Sequence, residues 1–75
     1  MSPTNAERAG WARTAIGAFA FETNMRGEDL DTKIGDLLCN LIHLCDEEDL
    51  NFDDLVANAH DHHWHETREG QGAKA

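Results

Sequence analysis

Two short segments carry most of the side chains that could do chemistry. Residues 60–66, "HDHHWHE", hold four histidines, and residues 45–55, "CDEEDLNFDDL", hold six carboxylates and no Lys or Arg. Histidines three residues apart share a helix face, and imidazole with nearby carboxylates suits zinc. The weak candidate metal ligands are His60, His62, His63 and His65. The chain has no clear second ligand cluster, so we expect no metal and no cofactor, with His60 and His63 flanking Trp64 at the edge of a core.

The six carboxylates fall into two groups. Two of them, Asp53 and Asp54, fall in the first turn of a predicted helix, where negative charge is favourable. The other four, at 46–49, fall in the last turn of the helix before it, where negative charge is unfavourable. A calcium loop is excluded because the segment lacks the central glycine and the final glutamate. A solvated turn and a surface for a basic partner are both compatible with the pattern. The unfavourable positions favour the partner, and the predicted partner-binding residues are Asp36, Asp46, Glu47, Glu48, Asp49, Asp53, Asp54 and Asp61.

The net charge of −9 is unevenly distributed along the 75 residues. Residues 1–27 have a balance of +1, whereas residues 28–69 carry thirteen acids against two bases, a balance of −11. Such a field repels nucleic acid and anionic membranes and attracts basic surfaces. No apolar run is long enough to span a membrane, and the first residues lack the pattern of a signal peptide, so we expect a cytoplasmic protein.

The hydrophobic periodicity predicts an all-α fold. Apolar residues recur at three- and four-residue spacing in three segments, which predicts helices over about 5–23, 29–48 and 52–66. Thr4 and Glu7 have the spacing of a capping box, and Asn51 can cap the third helix. We therefore predict one three-helix domain over 1–66, with a C-terminal antiparallel hairpin and a flexible tail over 67–75.

Helix packing and cysteine placement lead to two further expectations. The first helix carries Trp11, Phe19 and Phe21, more aromatic surface than a three-helix unit of this size covers, which favours a homodimer. Cys39 and Cys45 are too far apart along one helix to form a disulfide, so we expect reduced cysteines buried on the core stripe.

The segment "IGDLLCNLIHLCDEEDLNFDDLVANAHDHH", residues 34–63, resembles small acidic helical proteins carried by phages and other mobile elements. It is also distantly similar to the C-terminal hairpin of MazG-like nucleotide pyrophosphatases. That enzyme family holds magnesium with ExxE and ExxD carboxylates. Here the ExxD position retains Asp36 but has Lys33 in place of the glutamate, and Glu22 is followed by Met25. The resemblance therefore implies a related fold without the catalysis.

Together these features predict a non-enzymatic inhibitor. Mobile-element proteins of this kind include anti-CRISPR and anti-restriction inhibitors, and the resemblance implies a carboxylate surface that occupies the basic site of a nucleic-acid-handling protein. Two alternatives remain: a vestigial nucleotide-binding pyrophosphatase module, and a structural helical dimer without a ligand.

Overall fold

The computed structural model describes residues 3–74, with side chains placed through residue 68. Three helices follow one another: α1 (Asn5–Glu22), α2 (Leu30–Glu47) and α3 (Phe52–Lys74). No strand occurs among the described residues, so the prediction of an all-α fold is confirmed. Within the same residues, no helix combines the length and the apolar character needed to cross a membrane.

The helices begin where side chains satisfy their first backbone N–H groups. At α1, the Thr4 hydroxyl accepts from the Glu7 backbone N–H at 3.0 Å, and the Thr4 backbone N–H donates to Glu7 Oε1 at 2.9 Å. These bonds confirm the capping box, and the backbone bond from Thr4, followed by the side-chain bond, lowers the pKa of Glu7. At α3, Asn51 Oδ1 accepts from the Asp54 backbone N–H at 3.0 Å, which confirms the predicted cap.

Helices α1 and α2 end with the same backbone device. The residue after each cap, Asn24 or Asp49, has a positive φ of 60° or 57°. The next N–H reaches back to a carbonyl five residues earlier: Met25 to Ala20 at 2.7 Å, and Leu50 to Cys45 at 2.8 Å. This is the Schellman pattern, which satisfies helix carbonyls and reverses the chain direction.

The described helices make an open arrangement with a very small core. Only Ala20 and Cys45 are buried among the described hydrophobic residues, and both accept the long bond of a Schellman turn. The accessible surface is 6202 Å², about 1,600 Å² more than the roughly 4,600 Å² expected of a compact 8.4 kDa monomer. The radius of gyration, 14.7 Å, also exceeds the roughly 11 Å of a compact domain of this length.

Several predictions about the core and the helix ends are corrected. Trp64, predicted at the edge of a core, is 53% exposed, and His60 and His63 are exposed as well. Trp11 and Phe21 are 60% and 69% exposed, in line with the expectation that three helices do not cover them. Cys45 is buried as predicted, but Cys39 is exposed because six residues of helix place it about 120° from Cys45 around the axis.

The third helix does not end at residue 66. It continues to Lys74, through Gly70 and Gly72 of the segment 67–75 that is predicted to be a flexible tail, and Ala75 lies outside the described residues. The Thr67 hydroxyl donates to the carbonyls of His63 and Trp64 at 2.9 Å, and the Arg68 guanidinium lies 4.6 Å from the centre of the Trp64 ring. These contacts stabilise the helix beyond the predicted boundary. Helices α2 and α3 line a common groove, whereas the antiparallel hairpin stays a prediction.

Candidate partner-binding surface

The acidic turn comprises the six carboxylates between the end of α2 and the first turn of α3, and all six residues are exposed. Helix α2 ends at Glu47, Glu48 caps it, and Asp49 is the residue of positive φ. The four residues 46–49 therefore surround the negative end of the α2 dipole. Asp53 and Asp54 lie in the first turn of α3, where the dipole favours them. The sequence placed these groups correctly relative to the two helix ends.

Asp49 occupies a doubly unfavourable position. Its φ of 57° is in the left-handed region, which glycine or asparagine adopts at lower cost, and the same position in the α1 turn is held by Asn24. A carboxylate at a helix C-terminus also opposes the dipole. A sequence selected for stability alone would place glycine or asparagine here. The positive φ was not predicted, although the order "DEEDLN" after an apolar helix could have indicated a Schellman turn with an acid in place of glycine.

The positive side chains lie away from the acidic turn. Among residues 3–68, Arg8 forms an ion pair with Glu66 at 3.2 Å, and His65 Nε2 lies 3.7 Å from Asp61 Oδ1; neither contact involves the turn. The Arg26 guanidinium lies 5.4 Å from the centre of the Phe21 ring, and that of Arg68 lies over Trp64. Over the described side chains, the charge of the acidic turn is therefore not neutralised within the chain.

The other predicted partner-binding residues extend this surface unevenly. Asp36 is exposed in the middle of α2, where helix geometry sets it on the side away from the apolar stripe. Asp61 is exposed on α3, one turn before the imidazole of His65. Glu66, an acid of the same region, is half-buried in its ion pair with Arg8 and so joins α3 to α1. That contact was not predicted, because periodicity does not show which helices meet.

The four histidines of α3 are spread around the helix. All are exposed, and His65 contacts Trp64 edge to face, with ring centres 5.0 Å apart. Among the described residues, no three His, Cys, Asp or Glu side chains are grouped to hold a metal ion.

The residues that stand at the positions of the pyrophosphatase motifs lie on two different helices. Glu22 is exposed at the end of α1, whereas Lys33 and Asp36 lie on α2, with Lys33 half-buried. Cys39, also on α2, is a free and exposed cysteine.

Comparison with known proteins adds no assignment: the chain matches no protein-family model, no curated protein and no solved structure.

Proposed function

We propose that this chain is a non-enzymatic inhibitor whose acidic turn binds the basic nucleic-acid-binding site of another protein. The observation that carries the proposal is the acidic turn itself. Six carboxylates are exposed, unpaired within the described side chains, and set partly where helix and backbone energetics oppose them. Stability lost at surface positions is typical of residues retained for binding.

Electrostatics defines the partner. A basic groove that attracts the phosphates of nucleic acid also attracts closely spaced carboxylates, and the complementary field raises the association rate. The chain itself, with a net charge of −9, is repelled by nucleic acid, so binding to it directly is disfavoured. An origin in a phage or other mobile element, in the manner of anti-CRISPR or anti-restriction proteins, is part of the same proposal.

The proposed acting species is a cytoplasmic homodimer. The isolated chain leaves large apolar side chains exposed along α2, including Ile34, Leu38 and Leu41. The two buried hydrophobic residues of the described region provide too little apolar burial to offset the conformational entropy of three helices.

Affinity capture tests the function. The tagged chain is incubated with bacterial lysates at low salt, bound proteins are eluted with rising NaCl, and each is assayed for nucleic-acid binding with and without the purified chain. We expect a basic nucleic-acid-handling protein that elutes with salt and loses its nucleic acid when the chain is added. Neutralising residues 46–49 together, as D46N/E47Q/E48Q/D49N, should weaken binding about 100-fold, since four partly exposed ion pairs contribute about 0.7 kcal/mol each.

The matched control separates the turn from net charge. E47Q/E48Q and E22Q/E28Q each remove two exposed carboxylates, and in each pair one glutamate lies in the last turn of a helix. E47Q/E48Q should weaken binding about tenfold, and E22Q/E28Q less than threefold. Equal losses in the two variants, or capture that ignores added salt, would contradict the proposal.

A further inference from the structure

An uninterrupted apolar stripe on α2 passes through two separate grooves. The seam, as we call it, consists of Leu30, Ile34, Leu38, Leu41 and Cys45. Its first two residues line a groove of about 350 Å³ with α1, and its last three line one of about 260 Å³ with α3. Spacings of three and four residues keep all five on one face over about 22 Å of helix. Four of the five are exposed, although none of the five is charged.

The uncovered area agrees with what a stable homodimer needs. Obligate homodimers bury about 2,000–5,000 Å² in total, or about 1,000–2,500 Å² from each chain. The surface of this chain exceeds that of a compact monomer by about 1,600 Å², which lies within that range. This excess belongs to the whole chain, and the seam contributes to it through four apolar side chains that are 36–45% exposed. A second copy would cover the same patch on both chains.

We propose that two copies pair along their seams, with the α2 helices antiparallel about a two-fold axis near Leu38. In this arrangement Ile34 faces Leu41 of the second copy, and Leu30 lies at the level of Cys45, which is itself buried within its own chain. Each copy contributes the same patch, as a closed two-fold dimer requires. The inference rests on the proposed homodimer and adds its interface and orientation; it does not require the acidic turn to have a partner.

Charge selects the antiparallel orientation. Arg13 lines the groove at the Leu30 end of the seam, whereas the acidic turn begins directly after Cys45 at the other end. Antiparallel pairing brings Arg13 to the acidic turn of the second copy, together with the exposed acids beside Leu30, which are Glu28, Asp29 and Asp31. Three carboxylates partly offset by Arg13 repel the turn less than a second set of six. Parallel pairing would instead place two acidic turns, with twelve carboxylates, side by side at one end of the dimer. The antiparallel dimer holds the two turns at opposite ends.

Sedimentation equilibrium with a matched pair of variants tests the interface. The native chain should have a mass near 16.8 kDa, twice its 8.4 kDa, at micromolar concentration. Leu38→Asp places two carboxylates at the two-fold axis and should weaken association at least 100-fold. Leu44→Asp changes a leucine of the same helix that is 52% exposed and lines neither groove, so it should weaken association less than threefold. A native mass of 8.4 kDa, or equal losses of association in the two variants, would overturn the proposed interface along the seam.

A spin-label distance tests the orientation without altering the seam. Glu48→Cys is labelled in a Cys39→Ser background, and Cys39→Ser alone measures any labelling of the buried Cys45. Antiparallel pairing predicts a separation between the two labels of about 30 Å or more, from the helix length between residue 48 and the axis. A separation below about 20 Å would mean parallel pairing and would overturn the proposed orientation. If the dimer forms but the tagged chain captures no basic nucleic-acid-handling protein from the lysates, the result would count against the inhibitor function alone.

Discussion

Asp49 is the residue at which stability and proposed function conflict most clearly. Replacing it with glycine removes the left-handed backbone cost and the repulsion from the α2 dipole, so Asp49→Gly should stabilise the fold by about 1 kcal/mol. Asparagine tolerates the same φ, so Asp49→Asn removes mainly the charge and should stabilise the fold by only a few tenths of a kcal/mol. Urea denaturation at fixed protein concentration measures both. A glycine variant less stable than the native chain would contradict the proposed strain.

Glu7 provides a pH-dependent prediction at the same scale. Hydrogen bonds from Thr4 lower the pKa of Glu7 in the folded chain below its usual value of 4.5. A lowered folded pKa means that ionised Glu7 contributes stability above about pH 4.5, and that this contribution is lost as pH falls through the folded pKa. Glu7→Gln keeps a capping side chain without the charge. The native chain should be the more stable of the two at pH 7, and the difference should shrink as the pH falls below 4.5, in thermal unfolding followed by circular dichroism.

Helix α3 depends on its cap because its first turn is exposed. Asn51→Ala removes the acceptor for the Asp54 N–H and should cost about 1 kcal/mol. Asn58→Ala is the matched control, since Asn58 is exposed within α3 and alanine is the better helix former. It should stabilise the fold by about 0.5 kcal/mol. Denaturant unfolding of the pair should show opposite signs; a loss in both would mean that the asparagines act through other contacts.

At the level of elements, local signals were predictable and contacts between elements were not. The Thr4–Glu7 box, the Asn51 cap and the three helices follow from spacing alone, because these interactions join residues three or four apart. The end of α3 was misjudged because glycine weakens a helix without ending it. The candidate surface was predictable as a run of acids, whereas the strain at Asp49 and the engagement of Glu66 depend on backbone geometry and on packing across the chain.

At the level of the whole molecule, an apolar stripe in the sequence does not specify whether the same chain or a second copy covers it. The stripe of α2 was interpreted as core, yet Leu38 and Leu41 are exposed in the isolated chain. Hydrophobic periodicity shows only that one face of a helix is apolar and favours burial. The accessible surface of the chain is about a third larger than that of a compact monomer of the same mass, and this excess is one basis of the proposed dimer. The same helix thus carries the proposed interface on one side and leads into the acidic turn at its end.

Because the chain has a large net negative charge, added salt should stabilise the fold and weaken binding to a basic partner. Two copies in one dimer carry a formal charge of −18, and this self-repulsion opposes the compact state. Raising NaCl from 10 to 150 mM shortens the screening length from about 30 to 8 Å, so the melting temperature at fixed protein concentration should rise. Capture of a basic partner over the same range should weaken, because its attraction is screened by the same ions. A melting temperature that falls with salt would mean that attractive pairs such as Arg8–Glu66 outweigh the repulsion, and the acidic turn would then cost the fold little.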